Sequence, residues 1–327
     1  MRAWTVREFG PFREKLALGR HELPKPTGPT ALIKVHAAGI NFPDLLMIEG
    51  KYQVKPPTPF IPGGEATGVV VEVGDQSSLG VGDRIITSNQ TGAFAEYMLA
   101  KDASSFAAPE AMTDADAAAL LITYQTSYFA LAYRAQLKAG EYLLVHGGAG
   151  GVGTSAIQIG KALGATVIAT AGADDKLEVC RQCGADYVIN YSREDFVPAV
   201  QEITKGHGAD VIYDPVGGDV FDKSTKCIAW EGRLLVIGFA GGRIPQITAN
   251  RILLKNISVV GLYWGNYFSH QPELIRKTQE ILYQLYAQGK IKPVIYREYP
   301  LEGLPEALAA IERRECYGKL VLKPAES

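Results

Sequence analysis

The sequence predicts an α/β protein in two parts: a mostly-β part, then a doubly wound parallel sheet with helices on both faces. Three observations carry that expectation. Up to about residue 109 the chain is short apolar runs broken by Gly and Pro, and from about residue 124 strand-like and helix-like stretches alternate. A glycine-rich segment, Gly147 to Gly153, stands where the first strand of the alternating part gives way to a helix. The length, 327 residues, is too great for one ordinary small domain and suits two of modest size.

In the first part, residues 32–35, 68–73 and 84–87 read as strands, with turns at Gly74-Asp75 and Gly82-Asp83. One short helix interrupts them: Pro43 suits its first turn, Leu45, Leu46 and Ile48 its apolar face, and Gly50 a left-handed stop. The most apolar stretch, 115–132, is broken by Thr123 to Ser127 and reads as buried helix, not a membrane span. In the alternating part, strands are expected at 142–145, 166–169, 187–189, 211–213, 234–237 and 258–260, with helices at 154–163, 174–183 and 194–204. After about residue 262 the alternation stops; a helix at 272–288, a strand at 294–296, a helix at 304–313 and a strand at 319–322 follow.

Hydrophobic residues at 47% and charged residues at 21% describe a soluble globular chain with a real core. A net charge of −2 offers no general attraction to nucleic acid or anionic membrane. Four cysteines make no disulfide framework in a chain this long, and the first ten residues lack the apolar run of a signal peptide, so a reducing, cytoplasmic setting is expected.

The strongest local signal is a G-x-G-x-x-G spacing at Gly148, Gly150 and Gly153, after an apolar strand and before a helix. In such a loop the first glycine allows the tight turn, the second lets backbone approach a pyrophosphate, and the third lets the helix pack close. The helix N-terminus then offers N–H groups and a favourable dipole to the diphosphate. About 20 residues on, NAD sites place a carboxylate against the ribose hydroxyls. Here that strand runs into Ala171-Gly172, so no acid repels a 2′-phosphate, and Lys176 and Tyr191 follow nearby. Either residue alone also suits a solvated helix lysine or a strand-end aromatic; with the missing acid they favour NADPH over NADH.

With those residues placed, the chain resembles the medium-chain dehydrogenase/reductase superfamily, in its zinc-independent, zeta-crystallin-like NADPH:quinone oxidoreductase branch. The marks are Ala38-Gly39-Ile40-Asn41-Phe42-Pro43-Asp44, Pro59-Phe60-Ile61-Pro62-Gly63-Gly64-Glu65, Val81-Gly82-Asp83-Arg84, the glycine loop, and Gly318-Lys319-Leu320-Val321-Leu322. The resemblance implies a GroES-like catalytic domain from residues 1–122 and 263–327, a Rossmann NADPH-binding domain at 123–262, and a homodimer paired through the last Rossmann strand near 257–261. It implies cofactor contacts from Asn41, Thr126, Gly148, Ala149, Gly150, Gly151, Val152, Gly153, Gly172, Lys176, Tyr191, Phe239 and Lys319. It also implies a cleft between domains lined by Asn41, Asp44, Tyr52 and Thr126, with Tyr52, Asn41 and Asp44 as the catalytic candidates.

Zinc-dependent relatives carry a Cys where this chain has Asn41 and a His where it has Gly64, and their four-cysteine lobe has no counterpart between Arg84 and Phe94. Zinc needs three or four N, S or O ligands, so a metal-free site is expected. The C-x-x-C at Cys180 and Cys183 falls on a helix with no second ligand pair and reads as packing. Without a Lewis acid, simple alcohol oxidation is not expected. A quinone or an activated C=C (enone or enal) already delocalises the charge that hydride addition creates, and needs mainly orientation, donors and a proton. Tyr52 is the expected donor to the substrate carbonyl, with water competing as proton source, and Asn41 would orient nicotinamide or substrate. Ordinary readings stand beside these: Asn41 and Asp44 suit helix capping, Tyr52 suits packing on Pro56-Pro57, and Glu65 suits a buried, hydrogen-bonded strand position. Two other functions are carried forward. One is an enoyl-thioester (acyl-CoA) reductase, with Lys51, Lys55 and Arg243 either meeting a phosphate tail or merely solubilising the surface. The other is a non-enzymatic NADPH-binding role, structural or RNA-binding, for which no basic patch speaks.

Overall fold

The computed structural model describes residues 1–324, which fall into two units. The first takes residues 1–122, 271–279 and 293–324; the second takes 123–270 and 280–292. Residues 263–270 and 280–292 thus group with the second unit, whereas the sequence reading gives all of 263–327 to the first.

In the first unit, β1 (Arg2–Val6) and β2 (Leu16–Arg20) pair as a hairpin around the short α1 (Phe12–Lys15). The main sheet is built on β3 (Thr30–Ile40), which pairs antiparallel with β4 (Glu65–Val73), β6 (Tyr97–Lys101) and β15 (Lys319–Lys323). Beyond β4 lie β5 (Arg84–Ser88) and β7 (Ser105–Ala107); beyond β15 lies the parallel β14 (Ile295–Pro300). Ile33, Val35, Val70, Ile85, Phe94, Met98, Leu308 and Leu322 fill the core of this unit. The helix α2 (Phe42–Ile48) is where the sequence places it, and Gly50 stops it at φ +70°. Its capping leg is the Asp44 carboxylate, which accepts from the Asn41 N–H at 2.7 Å.

In the second unit, six strands form one parallel sheet, β8 (Tyr142–Val145), β9 (Thr166–Ala171), β10 (Tyr187–Asn190), β11 (Ala209–Asp214), β12 (Ile228–Val236) and β13 (Ser258–Gly261). Their spatial order, β10-β9-β8-β11-β12-β13, is the doubly wound order, and it reverses between β8 and β11. Crossovers run through α4 (Gly151–Ala162), α5 (Asp174–Gln182), α6 (Phe196–Ile203), α7 (Gly218–Cys227) and α8 (Ala249–Lys255). The apolar strand centres, Leu144, Ile168, Ile212 and Leu234, are fully buried, as a sheet covered on both faces requires. The expected helix at 115–132 is α3 (Asp114–Tyr128), which then widens into π-type turns over Phe129–Arg134. Among the described residues, no helix is long and apolar enough to cross a membrane.

Candidate functional site

The glycine loop leaves the end of β8, beside the point where the strand order reverses. It is held by three backbone bonds: Gly150 N–H to Gly147 O (2.9 Å), Gly148 N–H to Thr170 O (2.8 Å), and Thr154 N–H to Gly150 O (2.8 Å). The tight turn falls on Gly147, at φ +59°, rather than on Gly148. Gly148 has a different need: a Cβ there would lie 2.9 Å from both Ala169 Cβ and Cys180 Sγ. At Gly153 a Cβ would lie 2.2 Å from Gly147 O, so the first turn of α4 sits directly against the loop. The N–H groups of Gly151, Val152 and Gly153 therefore lead a helix whose first turn has no intrahelical acceptors for them. Gly150 meets nothing nearer than Gly147 O at 3.3 Å, so its backbone is open to close approach.

Around this loop the second unit gathers most of the other expected cofactor residues. The strand β9 ends in Ala171, and Ala173 caps α5, leaving no carboxylate at the turn. The first acid beyond it, Asp174, is engaged by Asn190 Nδ2 (3.0 Å) and Arg193 (2.7 Å). The half-exposed Tyr191 lies over Gly172, its hydroxyl 2.8 Å from where a Cβ would stand, and Lys176 belongs to the first turn of α5. Thr126 precedes Ser127, whose hydroxyl lies 2.7 Å from Ser155 Oγ and 3.2 Å from Val152 O, so α3 is tied to the first turns of α4. Phe239 packs its ring over Gly217 at the start of α7.

Two buried groups of this unit carry no spacing signal in the sequence. His146, 1% exposed, sits between Thr170 Oγ1 (3.1 Å) and Ser224 Oγ (2.9 Å), and burial lowers its imidazole to about 3. It is neutral at physiological pH and bridges β9 to α7 one residue before the loop. Asp214 ends β11; its Oδ1 accepts from Val216 and Gly217 N–H, its Oδ2 has no partner among the described residues, and burial raises it to about 6. Cys180 and Cys183 are both buried, and burial pushes the Cys180 thiol up to about 12, so it packs rather than reacts.

In the first unit the strand ladders bring together residues that are far apart in sequence. Leu320 pairs with Ile40, and Gly39 with Glu65, which sets Lys319, Asn41 and Glu65 side by side. Lys319 Nζ donates to Asn41 Oδ1 at 2.5 Å and to Glu65 Oε1 at 2.7 Å. Asn41 Nδ2 donates to the same Oε1 at 2.9 Å, and Ile122 N–H to Glu65 Oε2 at 2.9 Å. The pair is 3% and 0% exposed, an interior ion pair with its hydrogen bonds largely satisfied. Asp44 lies beside it, and its burial, which outweighs the Asn41 N–H, raises its carboxyl to about 7. Asn41 is therefore more than a cap: both ends of its amide are engaged in this cluster. Tyr52 belongs to the same unit, in the bend after α2, partly buried against the core. Sequence reasoning names Asn41, Asp44 and Lys319 but leaves Glu65, which joins them, outside the candidate list. Lys51 is paired with Glu49, and Arg243 with Asp219 and Asp222, so two of the three cations considered for a phosphate tail are already engaged.

These charges set a pH signature. The folded pKa of His146 is depressed, so the unfolded chain binds the extra proton between pH 6.5 and about 3; its contribution is complete above 6.5 and is lost as pH falls. Asp44 and Asp214 have raised folded pKa values, so each contributes in the opposite sense, gaining as pH falls through about 7 and about 6. Replacing His146→Gln is expected to flatten the acid-side loss of stability by up to ~1.4 kcal/mol per pH unit. Urea unfolding at pH 7, 6 and 5 checks this; an unchanged slope would show that His146 is not held neutral.

Residues 28–110 match the family profile described as "Alcohol dehydrogenase GroES-like domain", and 151–280 that described as "Zinc-binding dehydrogenase". A relative, "Quinone oxidoreductase-like protein 2 homolog" of Nematostella vectensis, is 42% identical over 294 residues, 89% of this chain and 80% of its own. The crystal structure of Escherichia coli quinone oxidoreductase complexed with NADPH is 30% identical, covers 99% of this chain and 100% of its own, and superposes with a TM-score of 0.92. The structure of CurK enoyl reductase is 27% identical, with 98% coverage of both chains and a TM-score of 0.87. The zinc of that second profile's description does not fit the donor set here: Asn41 and Gly64 stand at the ligand positions, and an ammonium bonds the oxygens that remain.

Proposed function

Because this chain belongs to the medium-chain dehydrogenase/reductase superfamily, among its quinone oxidoreductases, we propose that it is an NADPH-dependent, metal-free reductase of quinones or of activated C=C bonds. The observation that carries this reading is the glycine loop closed against α4, joined to a β9 end that holds no acid and is covered by Tyr191. Gly148, Ala149, Gly150, Gly151, Val152 and Gly153 would hold the diphosphate through backbone N–H groups, and Gly172, Lys176 and Tyr191 the adenosine 2′-phosphate side. Thr126, Phe239, Asn41 and Lys319 are assigned to the nicotinamide side. NADPH, when bound, supplies the hydride.

The chain's own residues do the rest. Tyr52 donates a hydrogen bond to the acceptor's carbonyl oxygen, where negative charge develops, and water competes with it as the proton source. Asn41 is fixed by Lys319 and Glu65, so its amide orients without moving, and Asp44 holds the start of α2. A homodimer through β13, the outer strand of its sheet, and a cytoplasmic location complete the reading. Reduction of enoyl thioesters is the second reading, favoured by the likeness to CurK enoyl reductase.

The test is oxidation of NADPH and NADH against paired quinone and enone panels, with and without a chelator. Chelator-insensitive turnover with NADPH on at least one panel is the expected result, with NADH at least ~10-fold poorer in kcat/KM. Loss of activity with chelator would overturn the metal-free reading. A preference for NADH would overturn the reading of the β9 end, and turnover of enoyl thioesters alone would select the second reading.

A further inference from the structure

A line of buried hydroxyls crosses the second unit. Tyr213 of β11, Ser127 of α3 and Ser155 of α4 are each 0% exposed. The Tyr213 hydroxyl lies 3.1 Å from Ser127 Oγ, which lies 2.7 Å from Ser155 Oγ. At the far end Ser155 Oγ is 3.1 Å from both Thr123 O and Val152 O, and Ser127 Oγ is 3.2 Å from Val152 O. Carbonyl oxygens only accept. Satisfying all three hydroxyls therefore makes Tyr213 the first donor, and the protons run from it through the serines to the two carbonyls. Burial raises the Tyr213 phenol above its ordinary value, so it stays protonated and keeps donating.

The line ties together two stretches assigned to opposite ends of the cofactor. Val152 belongs to the α4 turn whose N–H groups are assigned to the diphosphate, and Thr126, the neighbour of Ser127, is assigned to the nicotinamide. Within 123–127 only Thr126 is partly exposed; Thr123, Tyr124, Gln125 and Ser127 are buried. The buried side of this stretch is turned to α4, where the Tyr124 hydroxyl also donates to Gln158 Oε1 at 3.0 Å. From Phe129, two residues past Ser127, α3 widens into π-type turns. Ser127 thus holds the last regular turn before the hydrogen-bond spacing of the helix changes. Resting on the NADPH-reductase reading above, we propose that Tyr213 and Ser127 are positioning residues for hydride transfer. Through Ser155 they set Thr126 against the first turn of α4, and so fix the nicotinamide end of NADPH relative to its diphosphate. The glycine loop itself is closed by backbone bonds that the hydroxyls do not share. Removing the first donor therefore loosens the nicotinamide end while the diphosphate stays held, and affinity separates from rate.

The experiment is Tyr213→Phe, which keeps the buried ring and removes the donor. Thr204→Val is the control: it loses a buried hydroxyl that donates to Val200 O and accepts from the Gly208 N–H, ahead of β11. Three quantities are measured: NADPH affinity, the fluorescence anisotropy of the bound nicotinamide, and the rate of hydride transfer in a single turnover. Tyr213→Phe is expected to bind NADPH within ~2-fold of the parent, with lower anisotropy and hydride transfer ~10-fold slower. Thr204→Val is expected to match the parent in all three. Unchanged anisotropy and rate in Tyr213→Phe, or the same changes in Thr204→Val, would show that the hydroxyls only pack the core, and would overturn the assignment. If Tyr213→Phe does not fold, Ser127→Ala decides by the same three quantities. An unchanged protein that binds NADPH but reduces neither acceptor panel overturns the reductase reading, and the anisotropy then decides alone whether Tyr213 fixes the nicotinamide. Absence of NADPH binding overturns both.

Discussion

Gly153→Ala is expected to weaken NADPH binding by on the order of 10–100-fold while the chain remains folded. The added methyl would stand 2.2 Å from Gly147 O and 2.7 Å from Gly148 O, both of them backbone atoms that no rotamer change can move. Either the loop or the first turn of α4 must retreat, at a cost of about 1–3 kcal/mol. Whichever moves, the N–H groups of Gly151, Val152 and Gly153 no longer converge on one diphosphate. Gly19→Ala is the control, since its Cβ would meet nothing nearer than His21 Nε2 at 3.5 Å. Titration of NADPH fluorescence on both variants measures the effect; equal affinities would remove the glycine loop from the cofactor site.

Lys319→Met is expected to destabilise the protein by about 3–5 kcal/mol, because it leaves the Glu65 carboxylate buried without its counter-ion. The number reports a stranded charge rather than the strength of the pair. The double variant Glu65→Gln with Lys319→Met removes both charges and is therefore expected to lose less than Lys319→Met alone, since a neutral amide strands no charge. Urea unfolding of the two single variants and the double closes the cycle. If the double variant is as unstable as the sum of the singles, the two side chains do not interact and the ion pair has no energetic meaning.

The parts of this protein that were legible in its sequence are those written in local pattern. The β8–loop–α4 passage announces itself through an apolar strand, a glycine run and a helix in immediate succession, and Ala171 marks the acid-free strand end in one residue. Even there, spacing misassigned a role. Gly147 makes the turn and Gly148 the close contact with Cys180, because five glycines within seven positions satisfy the template in more than one way. The strands β1, β2, β6 and β7 carry little local signal, being only three to five residues long, and β6 takes its register from the distant β3. The cluster of Asn41, Glu65 and Lys319 is the extreme case. Its bonds span 278 and 254 residues, and only the registers of β15 on β3 and of β3 on β4 reveal it. His146 was similarly opaque, since burial and two hydroxyl partners, not spacing, give it its character.

The distance in sequence between Glu65 and Lys319 also orders the protein's birth. Translation delivers the carboxylate 254 residues before the ammonium that neutralises it. Until then the interior of the first unit has no reason to close over Glu65, because a lone charge belongs in water. The second unit, all of which is encoded between the two residues, is complete on the nascent chain while the first still waits for β15. The domain begun first is thus the one finished last, with a lysine as its latch.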